Sequence, residues 1–154
     1  MRQTVDSVVN YISNLLDEAA GDGNTGLPDK ITSLATELGR VTRPAALAIK
    51  ARLLVTAASP LFNGNSDFSN FKNIDGTSLF NTTFDQNKWV KAVTACKAAI
   101  DASNTAGVSL YRFVPGAISV DEETKIEMNI RNAVCEKWNS ELIWGNTAYG
   151  SPTT

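Results

Sequence analysis

No histidine occurs in the 154 residues. That removes Ser-His-Asp and Cys-His nucleophile pairs, histidine metal sites and the usual near-neutral acid–base group. The two cysteines, Cys96 and Cys135, have neither metal-ligand spacing nor a redox Cys-x-x-Cys arrangement. Both lie among helical, apolar neighbours, so buried free thiols are expected. Carboxylates stand at Asp67, Asp75, Asp85 and Glu141, but no local motif sets two of them together as a glycosidase needs. Asp22 and Asn24 alternate in GDGNTG as in a calcium loop, yet Pro28 and the lack of a bidentate acid at the end argue against a metal. The chain therefore reads as non-catalytic, with no metal and no cofactor.

The remaining stretch with chemical potential is Leu61–Asp85. It is rich in Asn, Ser, Thr, Asp and Gly, yet carries Phe62, Phe68, Phe71, Phe80 and Phe84. Connections this long are uncommon in compact domains, and five phenylalanines argue against plain disorder. Two readings follow and do not exclude each other. In the first, an Ω-like loop folds back over the core with its phenylalanines as plugs. In the second, the loop faces a ligand with aromatic platforms and amide hydrogen-bonders.

The elements that position this loop are helices. Between Pro44 and Ala58 only Lys50, Arg52 and Thr56 are polar, so a helix there is apolar around most of its circumference and belongs at the centre of a bundle. Its alanines allow close helix approach. Thr42 can serve as N-cap, Pro44 suits the first turn, and Pro60 forbids helical geometry at Ser59. Ahead of it, residues 5–19 carry Val5, Val8, Val9, Ile12, Leu15, Leu16 and Ala19 as one amphipathic stripe, ended by the glycines of GDGNTG. The segment ITSLATEL before Gly39 could form two helical turns.

After the loop, residues 86–102 form a helix with Trp89, Ala92, Val93, Cys96, Ala99 and Ile100 on one face and Asp85 as N-cap. Trp89 reads as core. Val108, Leu110, Tyr111 and Phe113 are expected to cover helix ends. A further helix over 121–138 has Asp121, Glu122 and Glu123 in its first turn and Ile126, Ile130, Ala133, Val134 and Trp138 as its buried side. Glu141–Trp144 reads as a short extended segment, and residues 145–154 as a frayed tail. The fold class is all-α: tetratricopeptide-like helical hairpins, suggested by the Trp89-x-x-Ala92 spacing, with a long aromatic-containing polar loop.

At this length the chain is one domain's worth, 1–154, with 61–85 as a loop insert. Its 43% hydrophobic and 19% charged residues are ordinary for a globular protein. A net charge of −2 gives no electrostatic footprint for nucleic acid or an anionic membrane. No apolar run approaches the ~20 residues needed to span a bilayer, and residues 1–20 lack the pattern of a signal peptide.

The run GRVTRPAALAIKARLLVTAASPLFNG, Gly39–Gly64, resembles the signature helix of the SusD/RagB family of nutrient-binding outer-membrane lipoproteins of Bacteroidetes. Four further features resemble that family in order and spacing. They are Leu27-Pro28 ahead of Gly39-Arg40, Trp89-Val90-Lys91-Ala92 after a long polar insert, Ser109–Tyr111, and Asn139-Ser140-Glu141-Leu142-Ile143-Trp144. The resemblance implies a surface lipoprotein of the outer membrane that captures a polysaccharide, oligosaccharide or peptide. It would deliver that nutrient to a SusC-like TonB-dependent transporter, as part of polysaccharide utilisation. Family members are several-fold longer, so the resemblance covers their central, partial piece; the signal and the lipobox cysteine that would carry a lipid anchor are not in this chain.

Sugar binding in such a protein would stack an aromatic face on a pyranose and bond its hydroxyls with amides and carboxylates. On composition the candidates are Phe68, Phe71, Trp144 and Tyr149, with Asn65, Asp67, Asn70 and Asn146. The alternative is a tetratricopeptide-like scaffold that binds protein and holds no ligand of its own.

Overall fold

Helix α1, Val5–Ala20, opens with the Thr4 hydroxyl accepting the Ser7 N–H and closes at Gly21, whose positive φ of 59° ends the helix. A single turn, α2 (Leu34–Glu37), precedes the central helix α3, Arg43–Ala58. The loop carries a 3-10 turn, Ser66–Phe68, and leads to α4, Gln86–Ala106, and α5, Glu122–Cys135. This computed structural model describes residues 1–22, 25–117 and 119–145. Among them the only β-type pairing is an isolated bridge between Lys72 and Ser78, and the fold is all-α.

Helix α3 is the centre. It packs against both α1 and α4, which meet each other through the Lys88–Asp6 ion pair. Its buried residues are Pro44, Ala45, Ala46, Leu47, Ala51, Leu54, Ala57 and Ala58, six of the eight alanine or proline. Facing them, α4 presents Ala92, Ala95, Ala99 and Ala102 at alternating spacings of three and four. Alanine on alanine lets the two helices approach closely, and Val9, Leu16, Leu27, Trp89 and Cys96 close the sides. Thr42 occupies the N-cap position of α3 in extended geometry, but its side chain makes no capping bond.

The inward face of α4 differs from the apolar stripe expected from sequence. Val93 and Ile100 are 66% and 60% exposed. The alanine edge turns inward because only small side chains fit against α3 at this separation, and Val93, one residue from Ala92, is then rotated about 100° away.

Helix α5 inverts its expected orientation. Ile126, Ile130 and Val134, expected inside, are 60%, 71% and 88% exposed, and Ala133 and Trp138 are only half-buried. Its inward side is polar. Asn129 Oδ1 accepts the Phe113 N–H, and the Tyr111 hydroxyl donates to Glu136 just beyond the helix. Asn139 Nδ2 donates to the carbonyls of Ala133 (2.9 Å) and Glu136 (3.2 Å) at the α5 C-terminus. Backbone groups of the extended stretch around Phe113 need partners once covered, and amides satisfy them where isoleucines cannot.

Smaller differences have local causes. The expected two turns of ITSLATEL shorten to one because the Glu37 carboxylate folds back on the N–H groups of Thr32 (2.9 Å) and Ser33 (3.2 Å). Glu141–Trp144 is a turn, not an extended segment: Asn139 Oδ1 accepts the Glu141 N–H at 2.9 Å. Leu110 is exposed instead of covering a helix end, and Cys135 is an exposed thiol where a buried one was expected; Cys96 is half-buried, and both are free. The expected tail lies, apart from Gly145, outside the described residues, as does Asn24 of the glycine-rich turn.

Candidate ligand-binding surfaces

The Leu61–Asp85 loop is closed at its base by one amide. Asn63, 4% exposed, accepts the Asp85 N–H at 2.8 Å and donates to the Asp85 carbonyl at 3.0 Å. Asp85 in turn caps α4 by accepting the Asn87 N–H. The middle of the loop is fastened to the chain's first residues: Val5 N–H donates to the Leu79 carbonyl, Arg2 to the Lys72 carbonyl, and Asn73 to the Arg2 carbonyl. Leu79 is buried, and Lys88 pairs with Asp6 at 2.6 Å.

Four phenylalanines form the loop's own small core. Phe68 stacks on Phe80 with centroids 4.4 Å apart, Phe80 lies parallel to Phe62 at 6.3 Å, and Phe71 meets Phe68 and Phe80 edge-on at 5.7 and 5.9 Å. These are favourable aromatic geometries. Phe62, Phe68 and Phe80 are half-buried, whereas Phe71 leaves 52% of its surface open.

The structure brings five of the eight candidate residues into this one loop and separates the others. Asn65 is occupied by its own turn, accepting the Asp67 N–H at 2.9 Å, and Phe68 is a packing residue. Asp67, Asn70 and the open ring of Phe71 are left facing solvent close together in sequence. Trp144 lies elsewhere: its indole N–H donates to the Gly39 carbonyl at 2.9 Å. There it lines a cavity of about 120 Å³ with Trp138, Arg40, Lys30, Asp29 and Thr42. Asn146 and Tyr149 lie outside the described residues.

That second surface was not anticipated beyond Trp144. Two indoles, two cations and a carboxylate line its wall. Beside it Glu37 is held at a pKa of about 2, first by the backbone N–H groups of Thr32 and Ser33, and Arg40 adds an ion pair at 2.7 Å. Arg43 reaches Asp29 at 3.4 Å. The sequence signal was Gly39-Arg40, which the fold sets against Leu142–Trp144. A third hollow, about 380 Å³, lies between α1 and α4 over α3, lined by Asn10, Asn14, Lys50, Lys91 and Thr94 among others.

No family model matches the chain, and no curated protein matches it. Among solved structures the chain is similar to BT4246, a protein of Bacteroides thetaiotaomicron. The two share 36% sequence identity at a TM-score of 0.78 over 96% of this chain. The selenomethionine form of BT4246 aligns at 35% identity and a TM-score of 0.76 over the same share. The likeness points to a Bacteroidetes protein. The chain spans only 28% of the length of BT4246.

Proposed function

We propose that this chain is a SusD/RagB-type segment of a non-catalytic nutrient-capture protein. It works at the bacterial outer membrane, where a lipid-anchored parent passes glycan or peptide to a SusC-like TonB-dependent transporter. One observation carries the reading: the residues that resemble the family meet in the fold. Gly39 at the mouth of the signature helix receives the indole of Trp144 from the Asn139–Trp144 element, 105 residues away. The similarity to a Bacteroides protein over 96% of the chain supports it. The two open aromatic surfaces, at Phe71 and at Trp138–Trp144, offer the stacking face and nearby polar groups that a pyranose requires.

A second reading, a scaffold with no ligand site of its own, is favoured by the loop's phenylalanines. Three of the five stack on one another instead of lining a concavity. The test is affinity electrophoresis and calorimetry of the folded chain against a panel of polysaccharides, oligosaccharides and peptides. Capture predicts binding to one of them, weakened at least about tenfold by Phe71→Ala or Trp144→Ala with helix content unchanged. A folded chain that binds nothing in the panel overturns capture and leaves the scaffold.

A further inference from the structure

The base of the aromatic loop places two demands on one dipeptide. Residue 63 must offer both a carbonyl and an NH2 group. Its carboxamide accepts the Asp85 N–H at 2.8 Å and donates to the carbonyls of Asp85 at 3.0 Å and Ala58 at 3.4 Å. Residue 64 calls for glycine. Its φ is 89°, and a Cβ there would stand 3.1 Å from the Cβ of Phe84 and 3.2 Å from its Cα and N. The clasp thus draws together Asn63 and Gly64, a pair in which no side chain shields the backbone nitrogen that follows the carboxamide.

We propose that Asn63 is a site of self-modification by deamidation, suppressed while the loop is clasped and released when its base opens. In the open state the Gly64 nitrogen loses its proton to solvent base and attacks Cγ of Asn63. The new N–C bond closes a succinimide ring, the C–NH2 bond breaks, and the amide nitrogen leaves as ammonia. Water then adds to either imide carbonyl and reopens the ring as aspartate or isoaspartate. In the closed state the three hydrogen bonds hold the carboxamide in place, and at 4% exposure base scarcely reaches it. The rate therefore follows the fraction of molecules that are open.

The modification acts as a one-way latch. An aspartate at position 63 can still accept the Asp85 N–H. It also sets an oxygen, in place of the NH2 group, against the carbonyls of Asp85 and Ala58, and it brings a charge to a buried site. Lys88, which reaches the Phe62 carbonyl at 3.5 Å, is already committed to Asp6 at 2.6 Å. The loop then cannot reclose in its native form, and the α4 cap at Asp85 loses its anchor. Burial of Asn63 comes from this chain's own residues, so the latch needs no partner.

The test incubates the chain in mildly alkaline buffer, native and in guanidinium chloride, and follows amide-to-acid conversion at Asn63 by mass mapping. Conversion in the native chain should be at least about tenfold slower than in denaturant. Below the unfolding transition it should rise in step with hydrogen exchange of the Asp85 N–H, before the amides of α3 exchange. The product is checked separately through Asn63→Asp, which should keep its helical circular dichroism while the Asp85 N–H exchanges at least about tenfold faster. No conversion in denaturant, equal native and denatured rates, conversion unrelated to Asp85 exchange, or an Asn63→Asp variant with native protection at Asp85 overturns the proposal.

Discussion

Asn63 and Asp85 hold each other by two reciprocal bonds, side-chain carboxamide to backbone N–H and C=O, across 22 residues of loop. Asn63 is thus a peptide group supplied by a side chain, in a place where the backbone has no partner strand. Replacing it with alanine leaves the Asp85 N–H and C=O without it and unfastens the start of α4. The expected cost is about 2–3 kcal/mol. Chemical denaturation measures it, and hydrogen exchange should quicken through residues 61–85 before it does in α3.

The α3–α4 contact predicts opposite outcomes for two neighbouring residues. Ala92→Leu drives a larger side chain into a site that is 1% exposed against α3, at a cost of about 1–3 kcal/mol. Val93→Ala, on the outer side, changes stability by no more than about 0.5 kcal/mol. Denaturant midpoints of the two variants decide between this rotation of α4 and the one its apolar periodicity suggests.

Glu37 gives acid sensitivity of a defined sign. Its carboxyl is lowered from 4.5 to about 2, chiefly by the backbone N–H groups of Thr32 and Ser33. A depressed folded pKa contributes stability that is present above the unfolded value and lost as pH falls through the folded one. Glu37→Gln should therefore lower the melting temperature at about pH 6, and the gap between variant and parent should close as pH falls from about 4.5 toward 2. Paired thermal melts across that range measure it; a gap independent of pH refutes the assignment.

The two thiols differ in access. Cys135 is exposed and Cys96 half-buried against the α3–α4 core. In the native protein a thiol-reactive reagent should modify Cys135 rapidly and Cys96 slowly, with the difference vanishing in denaturant. Mass mapping of the labelled cysteines at short times checks this.

Which parts of the fold were legible in sequence follows from what periodicity reports. Helices α1, α3, α4 and α5 and the cap at Asp85 were readable because each signal is local: spacing, a capping residue, a proline or glycine. The faces of α4 and α5 were not. An apolar stripe shows that a surface wants covering, whereas which side meets a neighbour depends on fit. On α4 alanines outcompete Val93 and Ile100, and on α5 the amides of Asn129 and Asn139 fix the polar side inward. The candidate site divided along the same line. The loop residues were found together because they are adjacent in sequence, but the grouping of Trp144 with Trp138, Arg40 and Lys30 depends on chain-distant docking. The Asn63 clasp had no signal at all, since nothing distinguishes that asparagine from its loop neighbours until its burial is seen.

The bonds between the first residues and the loop impose an order of assembly. Arg2, Val5 and Asp6 find their partners at Lys72, Asn73, Leu79 and Lys88. During synthesis Arg2 and Asp6 wait for partners some seventy to eighty residues later. Helix α1 can coil early, but it cannot be locked in place until the aromatic loop and the start of α4 have been made. Residues 2–6 are therefore among the later parts of this structure to become secure, and substitutions there act directly on the aromatic loop.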